Sequence, residues 1–285
     1  MLQSNLIIPV VSIIIAMTSI QFGSFLAKDL FNTLGPILTT ILRISLAAIM
    51  LLISNRIWKQ NLNSKTLFKV IPYGSALGFM ILSFYLSIDR IPLGIASTLQ
   101  FLGPLGVAVL DSRKKSNLVW ILLAMLGVYL ILPVSKINSE LDPIGIIFAL
   151  SGAFCWALYI VFGKKLTQNI TSGLASSLGV TFAALIVIPF GFNQSTQGVI
   201  DHIIILKGLL LAAVSVAIPY YLELKALKNL STYSFGILLI LEPAIASLIG
   251  FIFIGQALTI VQWFAITLVI IASIGSSINL KKEIN

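Results

Sequence analysis

The 285-residue chain is 58% hydrophobic and only 9% charged, with a mean hydropathy of +1.07. That excludes a soluble globular domain, in which about a quarter of the residues carry charge. The net charge of +9 would suggest nucleic acid in a soluble protein, but in a chain this apolar it follows from Lys and Arg gathered on one side of a bilayer; the single cysteine, Cys155, excludes an internal disulfide and a cysteine-based metal cluster.

Met1-Leu2-Gln3-Ser4-Asn5 leads into an apolar stretch with no basic preceding region and no small-residue cleavage site, so the first run reads as a retained span. Apolar runs follow near 6–28, 35–54, 67–88, 92–110, 117–134, 143–163, 172–192, 203–224, 232–254 and 257–279. Each is close to the roughly 17–25 residues that cross a bilayer as a helix. The pattern predicts an all-α integral membrane protein with ten transmembrane helices. Pro36, Pro72, Pro92 and Pro143 stand at or near run starts, where a missing N–H costs little. Pro104, Pro219 and Pro243 lie deep inside runs and are predicted helix kinks.

The basic residues alternate between loops. One set of loops holds Arg56, Lys59, Lys65, Lys69, Arg113, Lys114, Lys115, Lys164, Lys165, Lys225, Lys228, Lys281 and Lys282. The other holds only Lys28, Arg90, Lys136 and Lys207, in the company of Asp29, Asp89, Glu140, Asp142 and Asp201. Thirteen against four predicts both termini on the cytoplasmic side, as an even number of spans requires. An offset of 139 residues lays Phe84–Leu105 on Glu223–Ala244 and Pro104 on Pro243. With five spans per half the second copy is inverted, giving repeats at 1–137 and 138–285. Inverted repeats meeting at a midplane site are an architecture of secondary transporters.

Several segments carry a family resemblance. They are Ser19-Ile20-Gln21-Phe22-Gly23 with Leu26-Ala27-Lys28, Phe84-Tyr85-Leu86-Ser87-Ile88 running into Ile91–Ala96, and Gly103-Pro104-Leu105. Ala153–Ile160, Pro219-Tyr220-Tyr221-Leu222-Glu223, Leu241-Glu242-Pro243-Ala244 and Gly255-Gln256-Ala257-Leu258-Thr259 complete the set. In this order they resemble the bacterial threonine/homoserine exporters of the drug/metabolite transporter superfamily (EamA type). This chain has Gln100 and Gln256 where those exporters tend to carry Glu. The resemblance implies a secondary-active exporter of the inner membrane, not an enzyme. It would move small metabolites, amino acids such as threonine or homoserine, by alternating access through a central polar cavity. Aromatic amino acids, drugs, opine-like metallophores and nucleotide precursors are the alternative substrates within the superfamily. An intramembrane lipid-modifying enzyme is the rival from another class, and the chain has no histidine-containing catalytic constellation to support it. No phosphate-binding loop, metal-ligand motif or cofactor fingerprint occurs. The partners implied are a small-molecule substrate, the lipid bilayer and protons.

Glu242 is the one acidic residue deep within a span and the candidate for proton coupling, since an intramembrane ionisable group is a functional hypothesis by default. Pro243 beside it frees the carbonyl of Leu239, and Pro104 frees that of Gln100. Arg43, the only basic residue deep in a span, reads either as a binding group for a substrate carboxylate or as a structural partner of Glu242 or of freed carbonyls. Glu223, with Tyr220 on the same face, reads as a gate or proton site, or as an interfacial carboxylate paired with Lys225 or Lys228. Gln21, Ser24 and Lys28 form one polar stripe on the first helix, expected to face the cavity. Trp156 and Tyr159 share a face with Gly152 and Gly163, which suits either helix packing or an aromatic cavity wall, with Tyr85 as a further wall and Gln100 as a further polar lining residue. Gly74 and Gly78 read as a packing pair, and His202, next to Asp201, as an interface residue.

Overall fold

The computed structural model describes residues 4–60, 62–91, 93–112, 115–131, 142–192, 201–255 and 259–284. The expected repeat boundary at 137/138, the charges Arg113, Lys114, Lys136 and Glu140, and Gln256 lie outside the described residues, as do the side chains of Lys28, Lys65, Lys115, Lys281 and Lys282. Among the described residues the chain is helical, without strands. Helix α1 (Ser4–Ser54) is followed by α2 (Ser64–Ile88), α3 (Leu93–Leu110), α4 (Lys115–Ile131), α5 (Pro143–Thr167) and α6 (Ser172–Val187). Then come α7 (His202–Ala212), a π-helical turn (Ala213–Ala217), α8 (Ile218–Asn229), α9 (Thr232–Leu239), α10 (Glu242–Ile254) and α11 (Ile260–Ile284). Seven stretches are long and apolar enough to cross a bilayer, and three shorter apolar helices, Ile95–Leu110, Leu118–Leu130 and Ile260–Gly275, accompany them. Side chains such as Ile7, Phe154, Leu185, Leu206 and Ile252 lie exposed on their outer faces, a surface that only lipid can solvate.

The first two apolar runs are not separated by a loop. Helix α1 changes direction at Gly35, whose φ of 76° and ψ of 165° interrupt the helical backbone immediately before Pro36. Only glycine enters that region without a Cβ penalty, and proline then starts the second arm, 36–54, without losing a needed donor. Elsewhere the helices begin at polar caps. Asn63, Asp142, Thr171, Asp201 and Ser231 each accept a backbone N–H of the first turn they precede. Gly255, with φ of 70°, closes α10.

Small residues set the helix spacing. A Cβ on Gly74 would stand 2.9 Å from the Gly179 carbonyl oxygen, and one on Gly78 3.2 Å from the Ala183 carbonyl oxygen, so α2 and α6 touch backbone to backbone, as the Gly74/Gly78 pair predicts. Gly103 of α3 sits on the Ala153 carbonyl of α5, Gly236 of α9 on the Pro104 carbonyl of α3, and Gly23 of α1 on Ser215.

Polar contacts among the described residues include two groups, one at each end of the bundle. At one end Asn55 donates to Ser177, Lys69 to Asn169, and Asp111 accepts from the hydroxyl and backbone of Thr232 and Tyr233. Lys164 there donates to the carbonyls of Leu227, Lys228 and Leu230, satisfying the orphan acceptors where α8 ends. At the other end Arg90 pairs with Asp142 at 3.0 Å, and Lys207 pairs with Asp29. The Arg90 guanidinium beside Asp142 holds its carboxyl below the ordinary carboxylate range. These are called the basic and the acidic end below.

Candidate functional site

The helical ladder breaks beside Glu242. Helix α9 ends at Leu239, Ile240 and Leu241 bond back to Ile237 and Leu238 in tight turns, and α10 begins at Glu242 itself. Pro243 has no N–H to give the Leu239 carbonyl, so the break falls where the sequence predicts it. The carboxylate left at this start is half-buried, and the side-chain amide of Gln21 donates to it at 2.9 Å. Two residues of the predicted cavity set, distant in sequence, therefore touch directly.

A second interruption lies opposite. The π-turn Ala213–Ala217 ends where Ile218 N–H bonds to the carbonyl of Ala213, five residues back. In that register the carbonyl of Val214 would need the N–H of residue 219, which is proline. The Ser19 hydroxyl takes its place, donating to Val214 O at 2.5 Å. The predicted kink at Pro219 is thus a π-turn capped from another helix. It also turns Ser215 inward: the Ser215 hydroxyl donates to Leu211 O at 2.7 Å and accepts from Arg43 Nη1 at 3.5 Å. Gly23 makes room for this, since a Cβ there would lie 2.5 Å from that of Ser215.

Arg43 is half-buried in the second arm of α1. Besides Ser215 it donates from Nη2 to the Tyr85 hydroxyl at 3.3 Å, while its Nε is buried without a partner. Both bonds are long and both partners neutral. Among the described residues no carboxylate stands within ion-pairing distance of it. Arg43 is therefore not the partner of Glu242.

On the acidic-end side of Arg43, a crevice of about 250 Å³ opens between the second arm of α1, the end of α2 and the segment after α6. Tyr85 and Thr40 form its polar part, and Leu82, Leu86, Val187 and Phe190 are among its apolar walls. Toward the basic end the packing is closed. Tyr73, Tyr159 and Tyr220 pack in sequence, the first pair tilted and the second edge-on, with ring centroids 5.1 Å and 6.0 Å apart. The Tyr159 hydroxyl donates to Glu223 at 2.7 Å, and Glu223 is only 4% exposed. Glu223 thus pairs with a tyrosine in the interior, rather than with Lys225 or Lys228 at the interface.

The remaining predicted residues stand apart from this group. Gln100 is buried in the seam of α2, α3 and α5, where it donates to the Met80 carbonyl at 3.4 Å and fills the space beside Gly152. Trp156 stacks on Phe101, centroids 5.2 Å apart, in the same seam. Ser24 is exposed and returns its hydroxyl to the Ile20 carbonyl. Pro104 lies within a helix that continues through it, in contrast to Pro243. Sequence reasoning missed Ser19, Thr40, Tyr73 and Ser215 as site residues. The usable signal for Ser215 was its place four residues before Pro219, where the helix cannot close normally.

Comparison with known proteins settles the lineage. The profile of the EamA-like transporter family matches residues 143–278. The threonine/homoserine exporter RhtA of Escherichia coli (strain K12) is 39% identical over 277 residues, covering 97% of this chain and 93% of that one. The chain belongs to the EamA-type drug/metabolite transporters. Within this family the RhtA of Salmonella typhimurium (strain SL1344) is 38% identical over the same share of both chains. A probable amino-acid metabolite efflux pump of S. typhimurium (strain LT2) is 28% identical over 67% of this chain and 70% of its own. A solved crystal structure aligns over 99% of both chains with a TM-score of 0.79 at 14% identity, a likeness of fold alone. An EamA-type transporter is not an enzyme, and this one is a multi-pass protein of the inner (plasma) membrane.

Proposed function

We propose that this transporter is a secondary-active exporter of small amino acids, binding them between Arg43 and Glu242 at the middle of the bilayer. The observation that carries the reading is an unpaired guanidinium and a carboxylate presented to one interior region. Arg43 reaches Ser215, Ser215 packs on Gly23, and two residues from Gly23 stands Gln21, which holds Glu242. An amino acid brings a carboxylate for the first and an ammonium for the second, supplying the counter-charges that membrane-embedded ions require. The relatives named as threonine/homoserine exporters support threonine and homoserine as substrates.

The proposed architecture is ten spans in two inverted repeats, 1–137 and 138–285, with both termini cytoplasmic. Reciprocal packing supports it. The first arm of α1 lies against α8 and its preceding π-turn, and α5 lies against α2, so the first helix of each half meets the third of the other. The basic end, holding Arg56, Lys59, Lys69, Lys164, Lys165, Lys225 and Lys228, would face the cytoplasm. In this orientation the crevice beside Arg43 faces outward, and the tyrosines with Glu223 close the cytoplasmic side. Alternating access would exchange the two, with a proton on Glu242 as the candidate coupling ion.

The test is counterflow in proteoliposomes across a panel of amino acids and their carboxamides, which lack the carboxylate. Saturable counterflow of threonine or homoserine, with loss of transport for the carboxamides, is the expected result. Equal transport of acid and amide would remove Arg43 from carboxylate binding, and absence of counterflow by any amino acid would refute the substrate class.

A further inference from the structure

Thr40 is one turn before Arg43 on the second arm of α1, so the two side chains share a face. It is 1% exposed and lines the crevice that Tyr85 joins to Arg43. A threonine in a membrane helix ordinarily returns its hydroxyl to a carbonyl three or four residues back, as Thr167 and Thr181 do here. Thr40 does not: its hydroxyl is buried with no hydrogen-bond partner. An unmade bond of this kind costs stability. Thr40 is part of the wall of a space of about 250 Å³, otherwise bounded largely by aliphatic and aromatic carbon, and its hydroxyl is covered at that wall. A wall of that composition accepts a short aliphatic chain, and one unpaired hydroxyl at its covered edge selects for a polar atom on that chain that reaches it.

We infer that Thr40 reads the side-chain hydroxyl of the substrate, making the transporter selective for short β- or γ-hydroxy amino acids over their deoxy analogues. The inference rests on the amino-acid reading above and deepens it. With its carboxylate on Arg43, a three- or four-carbon amino acid directs its side chain along the helix toward Thr40 and the crevice. There a substrate hydroxyl and the Thr40 hydroxyl satisfy one another, each able to donate and accept. An analogue without the hydroxyl leaves Thr40 unpaired on binding, and a site built to bond a hydroxyl discriminates more strongly than an apolar pocket can. Thr40 acts here as a specificity-determining residue. Arg43 and Glu242 would hold the part common to all amino acids.

The experiment compares homoserine with 2-aminobutyrate, which differs only in lacking the hydroxyl, in proteoliposome counterflow. The wild-type protein should prefer homoserine by about tenfold, the factor expected of one buried hydrogen bond. Thr40→Val, nearly the same shape, should collapse the preference by raising KM for homoserine about tenfold more than KM for 2-aminobutyrate. Thr40→Ser should restore it. Where the valine variant fails to insert, Thr40→Ala must give the same collapsed ratio. An unchanged ratio in the variant that inserts, an equal loss for both substrates, or failure of serine to restore selectivity would overturn the assignment to Thr40 while leaving the exporter reading intact. Wild-type protein that moves neither compound, nor any other amino acid, overturns both.

Discussion

The side chains of Gln21 and Glu242, 221 positions apart, meet at 2.9 Å, joining the first helix of the chain to the helix break before Pro243. The bond leaves the rest of the carboxylate available to a cation or a proton, and it defines a variant that separates shape from charge. Glu242→Gln keeps the outline and the ability to bond Gln21 but cannot titrate. We expect it to abolish gradient-driven concentration of substrate while retaining exchange. Transport into proteoliposomes with and without an imposed pH gradient measures this. A glutamine variant that follows the gradient like the wild type would move the proton elsewhere, with Glu223 next in line.

Among the interior contacts toward the basic end, the hydrogen bond from Tyr159 to Glu223 can be tested by itself. Removing the hydroxyl with Tyr159→Phe strands the Glu223 carboxylate in a buried site, at a cost of about 1–3 kcal/mol. Adding Glu223→Leu to it should cost less than the two single changes summed, because both remove the same bond. A thermal-unfolding double-mutant cycle in detergent checks this, and strict additivity would show that the bond carries no coupling.

Two glycines three residues apart on α3 should behave differently. A Cβ on Gly103 would lie 2.2 Å from the Ala153 carbonyl oxygen, whereas one on Gly106 meets nothing within 4 Å. Gly103→Ala therefore forces α3 from α5, at about 1–3 kcal/mol, while Gly106→Ala should be tolerated. Yield and melting temperature of the two purified variants decide the matter; similar values would mean that α3 and α5 can separate freely.

The contact between the α2–α3 turn and the start of α5 should be acid-sensitive. Arg90 holds the Asp142 carboxyl below its ordinary pKa, so this contribution is complete above the ordinary range near 3.9 and is lost as the pH falls through the lowered value. Amide exchange at Ile144, which Asp142 caps, should accelerate in that acid window relative to the rest of α5. Asp142→Asn should show no such transition, and a variant with the same acid transition would assign it to another group.

The charge asymmetry between the two ends predicts where a reporter at residue 285 will be active. A C-terminal fusion functional only in the cytoplasm is expected, and one active only outside would invert the proposed orientation.

Much of this was legible because lipid imposes a simple rule: long apolar stretches bounded by charge. The break at Glu242 was legible too, since Pro243 states it directly. Glu242 and Gln21 could each be nominated, yet their pairing could not, because nothing in local sequence fixes which helices become neighbours. Arg43 shows the same limit. Its charge marked it, but only the packing of Gly23 against Ser215 decides that it faces a serine and a tyrosine and not Glu242. Thr40 was invisible for another reason: what marks it is an unpaired hydroxyl, shared with Thr39 and Ser45, combined with a place on the crevice wall, and neither leaves a trace in composition.

The π-turn at Ala213–Ala217 fixes the phase of everything that follows it. An α-helix advances about 100° per residue, and the wider turn holds one residue more than an ordinary one. Deleting one residue there would heal the ladder into a regular helix of nearly the same length. It would also swing Tyr220 and Glu223 about a quarter turn away from Tyr159 and leave Ser19 without a carbonyl to bond. The irregularity is therefore a timing mark in the chain: the local backbone could dispense with it, but the face that α8 presents to the interior is counted from it.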